Sequence, residues 1–402
     1  MNDNYELSLL KKLVSINSQT GNIEGYREIT NVIINEINSL GMEIRIYDGN
    51  NEAKDGIYRP NIVAHYNVGA DKTLGLLTHF DTVPPGTSWH VDPFGAEIKE
   101  VDGEERVFGR GAADDKGCIV AALGALRRII KKNIRSRWNI TFMCVADEEI
   151  GGHYGAGYIA RNRFVSLDAL IVLDSSSLGL VVGTSGIVHG VIKIKGKQGH
   201  AGYILGSQNA LHRAVIFLRE MLDFIDSRSL KISKLKNPGS MPIPNIWGRF
   251  SLTWIKTSNT TFNVIPGDVE VGFDMRLIPE EEPKDAVAEL KAFFEMMKYK
   301  TSIYDVELDI IRTHAGYYTD EKHPFVRIAR DALYEATGRT LPIIGMLGGN
   351  DGGWFRDYNI PIISFGVWDE KSNIHGEDES VSLRKIYELE EFIVNLIQKP
   401  PP

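Results

Sequence analysis

Cysteine is nearly absent from this chain: 402 residues contain two, Cys118 and Cys144. Two thiols cannot build a disulfide framework or a zinc ribbon. Both are expected to be small buried groups, the usual fate of a free cysteine. Positive charge is also short, with 45 Lys and Arg against 53 Asp and Glu and a net charge of -8. No long basic run occurs, and affinity for nucleic acid rests on neutralising phosphates with Lys and Arg. No apolar stretch approaches the roughly 20 residues that cross a bilayer. The opening segment, Met1-Asn-Asp-Asn-Tyr-Glu6, is polar and acidic, unlike a secretory signal. The expectation is a cytoplasmic protein with neither nucleic acid nor membrane as partner.

What remains is ordinary globular composition, 43% hydrophobic and 24% charged, in a chain long enough for two or three domains. Residues 6–14 and 25–39 have helical apolar spacing (Ile29, Val32, Ile33, Ile37), with Gly41 as a stop. Strands and helices then alternate: strands 44–46, 62–66 and 74–78, helix 116–131, strand 138–146, helix 153–162, strand 169–173. That alternation predicts a doubly wound α/β domain. The texture changes near Gly186. Val188–Lys195 alternates as a half-exposed strand does. A helix over 208–225 and an irregular stretch over 227–247 follow. Strands 249–255 and 269–277, a helix opening at Glu280-Glu-Glu-Pro283, and strand 305–311 complete the segment. Strand, helix, strand, strand, helix, strand is the order of a ferredoxin-like α+β module. The first domain resumes near Thr313. The expected organisation is one domain of residues 1–185 and 313–402, with residues 186–312 inserted.

Four apolar strands of the larger domain lead into metal-competent side chains. Leu74–Thr78 is followed by His79-Phe-Asp81. The strand ending at Ala146 is followed by Asp147-Glu148-Glu149, and Ala169–Leu173 by Asp174. Pro361–Phe365 leads through Gly366 to His375. Between the first two lies Gly109-Arg-Gly-Ala-Ala-Asp-Asp-Lys-Gly117, which carries Asp114 and opens a helix. Open α/β sheets place ligands outside the carboxyl ends of their strands. The candidate ligands His79, Asp114, Glu149, Asp174 and His375 offer imidazole nitrogen and carboxylate oxygen. Those donors suit zinc, and also cobalt or manganese. Five residues exceed what one catalytic ion needs. Two ions about 3.5–4 Å apart, sharing a carboxylate, would use them all. Asp114, central in a Gly-rich turn, is the natural bridge. A nearby carboxylate would fix the second ring nitrogen of His79. The neighbours Glu148 and Glu149 need different roles, which a general base beside a metal ligand provides.

These motifs, with Gly151-Gly152, Gly196-Lys-Gln-Gly-His200-Ala, Asn263-Val-Ile-Pro266, Asp274-Met-Arg276, Gly348-Gly-Asn-Asp351 and His375-x-x-Asp378-Glu379, occur in order along nearly the whole chain. In this the chain resembles the co-catalytic zinc peptidases and deacylases: aminoacylase, acetylornithine deacetylase, succinyl-diaminopimelate desuccinylase, glutamate carboxypeptidase, carnosinase and bacterial di- and tripeptidases. The resemblance implies a di-zinc amidohydrolase whose inserted module is a lid and dimerisation domain. It assigns His79, Asp114 and Asp174 to one zinc, and Asp114, Glu149 and His375 to the other. It makes Asp81 the orienter of His79 and Glu148 the base, with a cis peptide after Asp114. It gives His200 the oxyanion of the tetrahedral intermediate, often across a homodimer. Arg276 would clamp a substrate carboxylate, while Asn263, Gly348 and Gly349 would contact substrate.

One departure bears on substrate. The position of Asp174 is usually Glu in the deacetylase and desuccinylase branches, and Asp resembles the dipeptidase, tripeptidase and carnosinase branches. Chain length and the compact lid point to the deacylase and carboxypeptidase branches. The expected reaction is hydrolysis of an amide beside a free carboxylate, in a dipeptide, a peptide C-terminus or an N-acyl amino acid. The alternatives are a di-metal phosphoesterase and a metal-free binding protein on the same fold. The remaining histidines, His65, His90, His153, His189, His212, His314 and His323, match no ligand position and are expected to be structural or solvated.

Overall fold

A computed structural model of the chain describes residues 4–239 and 242–402. It divides into two compact units. The first holds the residues through Gly183, Thr319–Ile344 and Asn350–Pro402; the second holds Thr184–Tyr318 and Gly345–Gly349. The loop Gly348-Gly349, which the sequence reading put with the larger domain, packs with the second unit.

The first unit is built on an eight-stranded mixed sheet. Its order is Glu43–Asp48, Pro60–Tyr66, Asn139–Val145, Thr73–His79, Ala169–Val172, Ile362–Ser364, Leu180–Thr184, Ile343–Met346. The four strands from Asn139–Val145 to Ile362–Ser364 are parallel to one another. They are apolar almost without interruption, as strands covered on both faces must be. Leu74, Leu76, Ile140, Phe142, Leu170 and Ile171 are all buried. Helices Gly117–Lys131 and Leu383–Gln398 pack on each other, and Tyr5–Val14 packs on the former. Their apolar residues recur every three or four positions (Ile119, Val120, Leu123, Leu126), which puts one stripe against the core. Cys118 and Cys144 are free and buried, as expected.

The second unit is a four-stranded antiparallel sheet, in the order Arg249–Lys256, Asp268–Leu277, Gly186–Lys195, Val306–His314. Helices Ala210–Ser229 and Pro283–Thr301 supply Phe217, Met221, Phe224, Leu290 and Phe294 to a core shared with Val271, Phe273 and Met275 of the sheet. Phe217 and Phe294 meet edge to face at 5.0 Å. This is the ferredoxin-like arrangement. The stretch 227–247 is more regular than its three prolines imply. The helix runs to Ser229, and Ile232–Lys236 pairs with Asn245–Trp247. The strands gain an anchor because Asn237 donates to the Ile243 and Asn245 carbonyls at 2.7 and 2.9 Å.

No helix among the described residues is long and apolar enough to cross a membrane. The burial pattern makes a direct prediction. Leu76→Ala, in the middle of the parallel strands, should lower the free energy of unfolding by about 2–5 kcal/mol. Ile46→Ala, on the half-exposed edge strand, should change it by no more than about 0.5 kcal/mol. Denaturant unfolding of the two variants checks both.

Candidate metal centre

The parallel strands finish level with one another. His79 pairs in register with Val145, Leu77 with Val172, and Val172 with Ser364. Neighbouring strands lie about 4.8 Å apart, so four loops leave one sheet edge side by side. They carry Glu148 and Glu149, then Asp81 just beyond His79 at its strand's end, then Asp174, and finally the path to His375. Asp114 comes from the turn that opens helix Gly117–Lys131.

All five sequence-predicted ligands meet there. The two carboxylate oxygens of Asp114 face opposite ways. Oδ1 lies 3.0 Å from Nε2 of His79, and Oδ2 lies 3.1 Å from Nε2 of His375. The same His375 nitrogen is 3.0 Å from Oε2 of Glu149. Two groups of donor atoms fall within 4.8 Å of one another, His79 with Glu148 and Asp174, and Asp114 with Glu149 and His375. Glu148 therefore stands among the donors of the first group, close to the ring of His79. The Asp114–Asp115 peptide is cis.

Asp81 is used differently from the sequence expectation. The His79 ring donates from Nδ1 to the backbone carbonyl of Asp81 at 3.0 Å, while the Asp81 carboxylate stands off at 3.5 Å. That carboxylate instead accepts the backbone N–H groups of Glu148 (3.1 Å) and Glu149 (3.3 Å) and the Thr20 hydroxyl (2.9 Å). One residue thus holds the imidazole through its main chain and the Glu148-Glu149 turn through its side chain. The turn begins at Asp147, a non-glycine residue at φ 62°, a conformation that costs roughly 1–2 kcal/mol. Arg59 and the Tyr26 hydroxyl grip its carboxylate and offset that cost. Gly152 must lack a side chain, because a Cβ there would meet Oδ1 of Asp351 at 2.0 Å.

Glu379 has no sequence-assigned role, although its spacing four residues after His375 marks it. It is 1% exposed and accepts four hydrogen bonds. Gly111 N (2.9 Å) and Arg110 Nη1 (2.6 Å) go to Oε2, and Ala113 N (2.9 Å) and Asp114 N (3.0 Å) go to Oε1. Arg110 also donates to the carbonyl of Gly376 at 2.9 Å. The pair ties the turn bearing Asp114 to the segment bearing His375.

The donors fit cations on two grounds. A His79 that donates from Nδ1 points Nε2 at Oδ1 of Asp114, and that contact needs a positive charge between the two atoms, a proton or a metal ion. Two ligands each about 2.0–2.2 Å from one tetrahedral ion lie roughly 3.3 Å apart, close to the separations found. Charge gives the second ground. Burial, then Asp114, pushes Asp174 up to about 7. Burial, then the Asp174 charge, drives Glu148 well above the carboxylate range. Burial raises Asp351 to about 8. Hydrogen bonds to Asp114 and Glu149 lift His375 to about 10. So many buried acids are held ionised together only if cations replace their protons.

The other predicted residues belong to the second unit. Gly199-His200 pairs with Val264-Ile265, and the Asn263 carbonyl accepts from Ala201 N at 2.9 Å, so His200 and Asn263 are neighbours. His200 is exposed, and its Nδ1 accepts from Gly202 N at 3.0 Å, leaving Nε2 to carry the proton. Arg276 donates from Nε to Asp274 at 2.8 Å, and Asp274 also takes Nε2 of His189 at 2.8 Å. The Gly348 carbonyl accepts from Ser185 N at 2.9 Å.

Known proteins share this fold. Residues 75–399 match the sequence pattern described as peptidase family M20/M25/M40. A Methanococcus maripaludis protein described as an uncharacterized metallohydrolase is 27% identical, over 98% of each chain. The succinyl-diaminopimelate desuccinylase of Buchnera aphidicola subsp. Cinara cedri is 27% identical, again over 98% of each. A crystal structure of a tripeptidase from Staphylococcus aureus superposes with a TM-score of 0.79 at 21% identity, covering 99% of this chain and 98% of that one.

The clasp at Glu379 is testable. Glu379→Ala strands three backbone N–H groups and Arg110, and residues that support metal ligands typically alter affinity 10–100-fold. Cobalt affinity, measured by titration of metal-free protein, should fall by about that factor. Unchanged affinity would show that the Asp114 turn holds its shape unaided.

Proposed function

The chain belongs to peptidase family M20/M25/M40, and on that premise we propose that it hydrolyses, with two zinc ions, an amide bond beside a free carboxylate. The observation that carries this reading is Asp114, whose two oxygens face the two imidazoles. His79, Asp114 and Asp174 would hold one ion; Asp114, Glu149 and His375 would hold the other. Cobalt and manganese suit the same donors. When bound, such ions supply Lewis acidity and make water a stronger acid.

The chain's own groups do the rest. Glu148, beside His79 and Asp174, is read as the general base: it takes the proton of the attacking water and returns it to the leaving nitrogen. Asp81 holds both the His79 ring and the Glu148 turn in place. His200, with Nε2 as its donor, meets the developing oxyanion. Arg276 binds the substrate carboxylate, and Asn263, Gly348 and Gly349 line its path.

The first unit is read as the catalytic domain and the second as the lid. The lid is also read as the homodimer interface. Leu211, Val215 and Leu222 of helix Ala210–Ser229 are exposed along one stripe at helical spacing, and Trp254 and Ile255 are exposed on the edge strand Arg249–Lys256. A dimer through these elements would cover both. The chain is read as a cytoplasmic enzyme acting on small molecules, in keeping with its acidic net charge. Asp174 favours the peptidase side of the family over the desuccinylase side. Phosphate-ester hydrolysis and metal-free binding are not favoured.

Glu148→Gln should retain its metal by elemental analysis and lose about 10²–10⁴-fold in turnover on dipeptides. Near-normal turnover would remove Glu148 as the base. A screen of dipeptides against N-acetyl and N-succinyl amino acids, with added zinc, cobalt or manganese, tests the substrate reading. Hydrolysis of phosphate esters alone would overturn it.

A further inference from the structure

Strands Arg249–Lys256 and Asp268–Leu277 pair so that Arg249 stands directly opposite Arg276. Side chains at such positions have Cβ atoms about 4.5–5.5 Å apart, and like charges placed there destabilise a sheet. Only one of the two is compensated. Arg276 is tied to Asp274 at 2.8 Å. Among the described residues Arg249 has no carboxylate within ion-pair distance. Its Nη2 donates to the Ser185 hydroxyl at 3.0 Å and the Leu347 carbonyl at 2.8 Å, and its buried Nε has no partner. Burial, then the charge of Arg276, lowers the Arg249 pKa to about 10. Two guanidinium groups against one carboxylate leave a single positive charge uncompensated, with His189 already engaged by Asp274.

We propose that Arg249 is the second arm of a carboxylate receptor whose first arm is Arg276, and that the two forks share one substrate carboxylate. This rests on the reading of the substrate as an amide with a free carboxylate. A shared carboxylate supplies the missing negative charge and accepts N–H donors left idle. Its single charge matches the single uncompensated cation, which favours a monocarboxylate over a second anionic group at this position. Arg249 also holds the Leu347 carbonyl, which places the Gly348-Gly349 loop beside the receptor within the same unit.

The test compares alanyl-alanine with its C-terminal amide, using the metal-loaded full chain. Wild type should prefer the free acid. Arg249→Gln should raise KM for the free acid about 10- to 100-fold, the worth of charge-assisted hydrogen bonds. Its KM for the amide should rise far less, so that the preference for the free acid falls at least about 10-fold, with unchanged circular dichroism. Arg249→Lys, which keeps charge without the fork, should recover part of the loss. A general structural role would damage acid and amide alike, and that result would overturn the proposal. An acid-selective wild type whose Arg249→Gln variant keeps its selectivity would overturn the second arm and leave the functional reading standing. A wild type indifferent to the carboxylate would instead sink the functional reading.

Discussion

Repulsion among buried carboxylates is the constraint on which this structure turns. Asp114, Glu148, Glu149, Asp174 and Asp351 crowd one sheet edge, and the imidazoles of His79 and His375 face them. Left alone, such a cluster must hold protons, because isolated charges in a low-dielectric interior are too costly. Cations remove the conflict and turn the cluster from a liability into a binding site. The same constraint explains the supports. Glu379 and Arg110 fix the turn that carries Asp114, Asp81 fixes the turn that carries Glu148 and Glu149, and Arg59 with Tyr26 fixes Asp147. Each is a buried polar group with several hydrogen bonds, so each rigidifies what it touches.

The fold makes the crowding possible. Four parallel strands that end in register deliver their following residues to one line, as open α/β sheets do at their carboxyl edge. The apolar runs before His79, Glu148 and Asp174 serve as core and as levers. Their burial fixes the height at which the next polar residue emerges.

Much of this was legible in the sequence because it is written in local pattern. Period and length announced the strands, a change of texture at Gly186 announced the second module, and ligand-type residues at strand ends announced the centre. What was illegible depends on long-range backbone contact. Asp81 supports Glu148 and Glu149 through main-chain N–H groups that carry no sequence mark. Glu379 grips a turn more than 260 positions away. Arg249 stands opposite Arg276 only because of strand register, which a one-residue slip would undo. The hairpin inside 227–247 was hidden by prolines that lie in its connection.

The two units differ in their chemistry. The first concentrates negative charge and buried acids. The second offers donors: His200 with its proton on Nε2, and the facing guanidinium groups. The central claim remains that Asp114 lies between two cations. Anomalous diffraction from crystals loaded with zinc measures this most directly. Two peaks about 3.5–4 Å apart, one beside each oxygen of Asp114, are the predicted result. A single peak, or two that do not share Asp114, would contradict it.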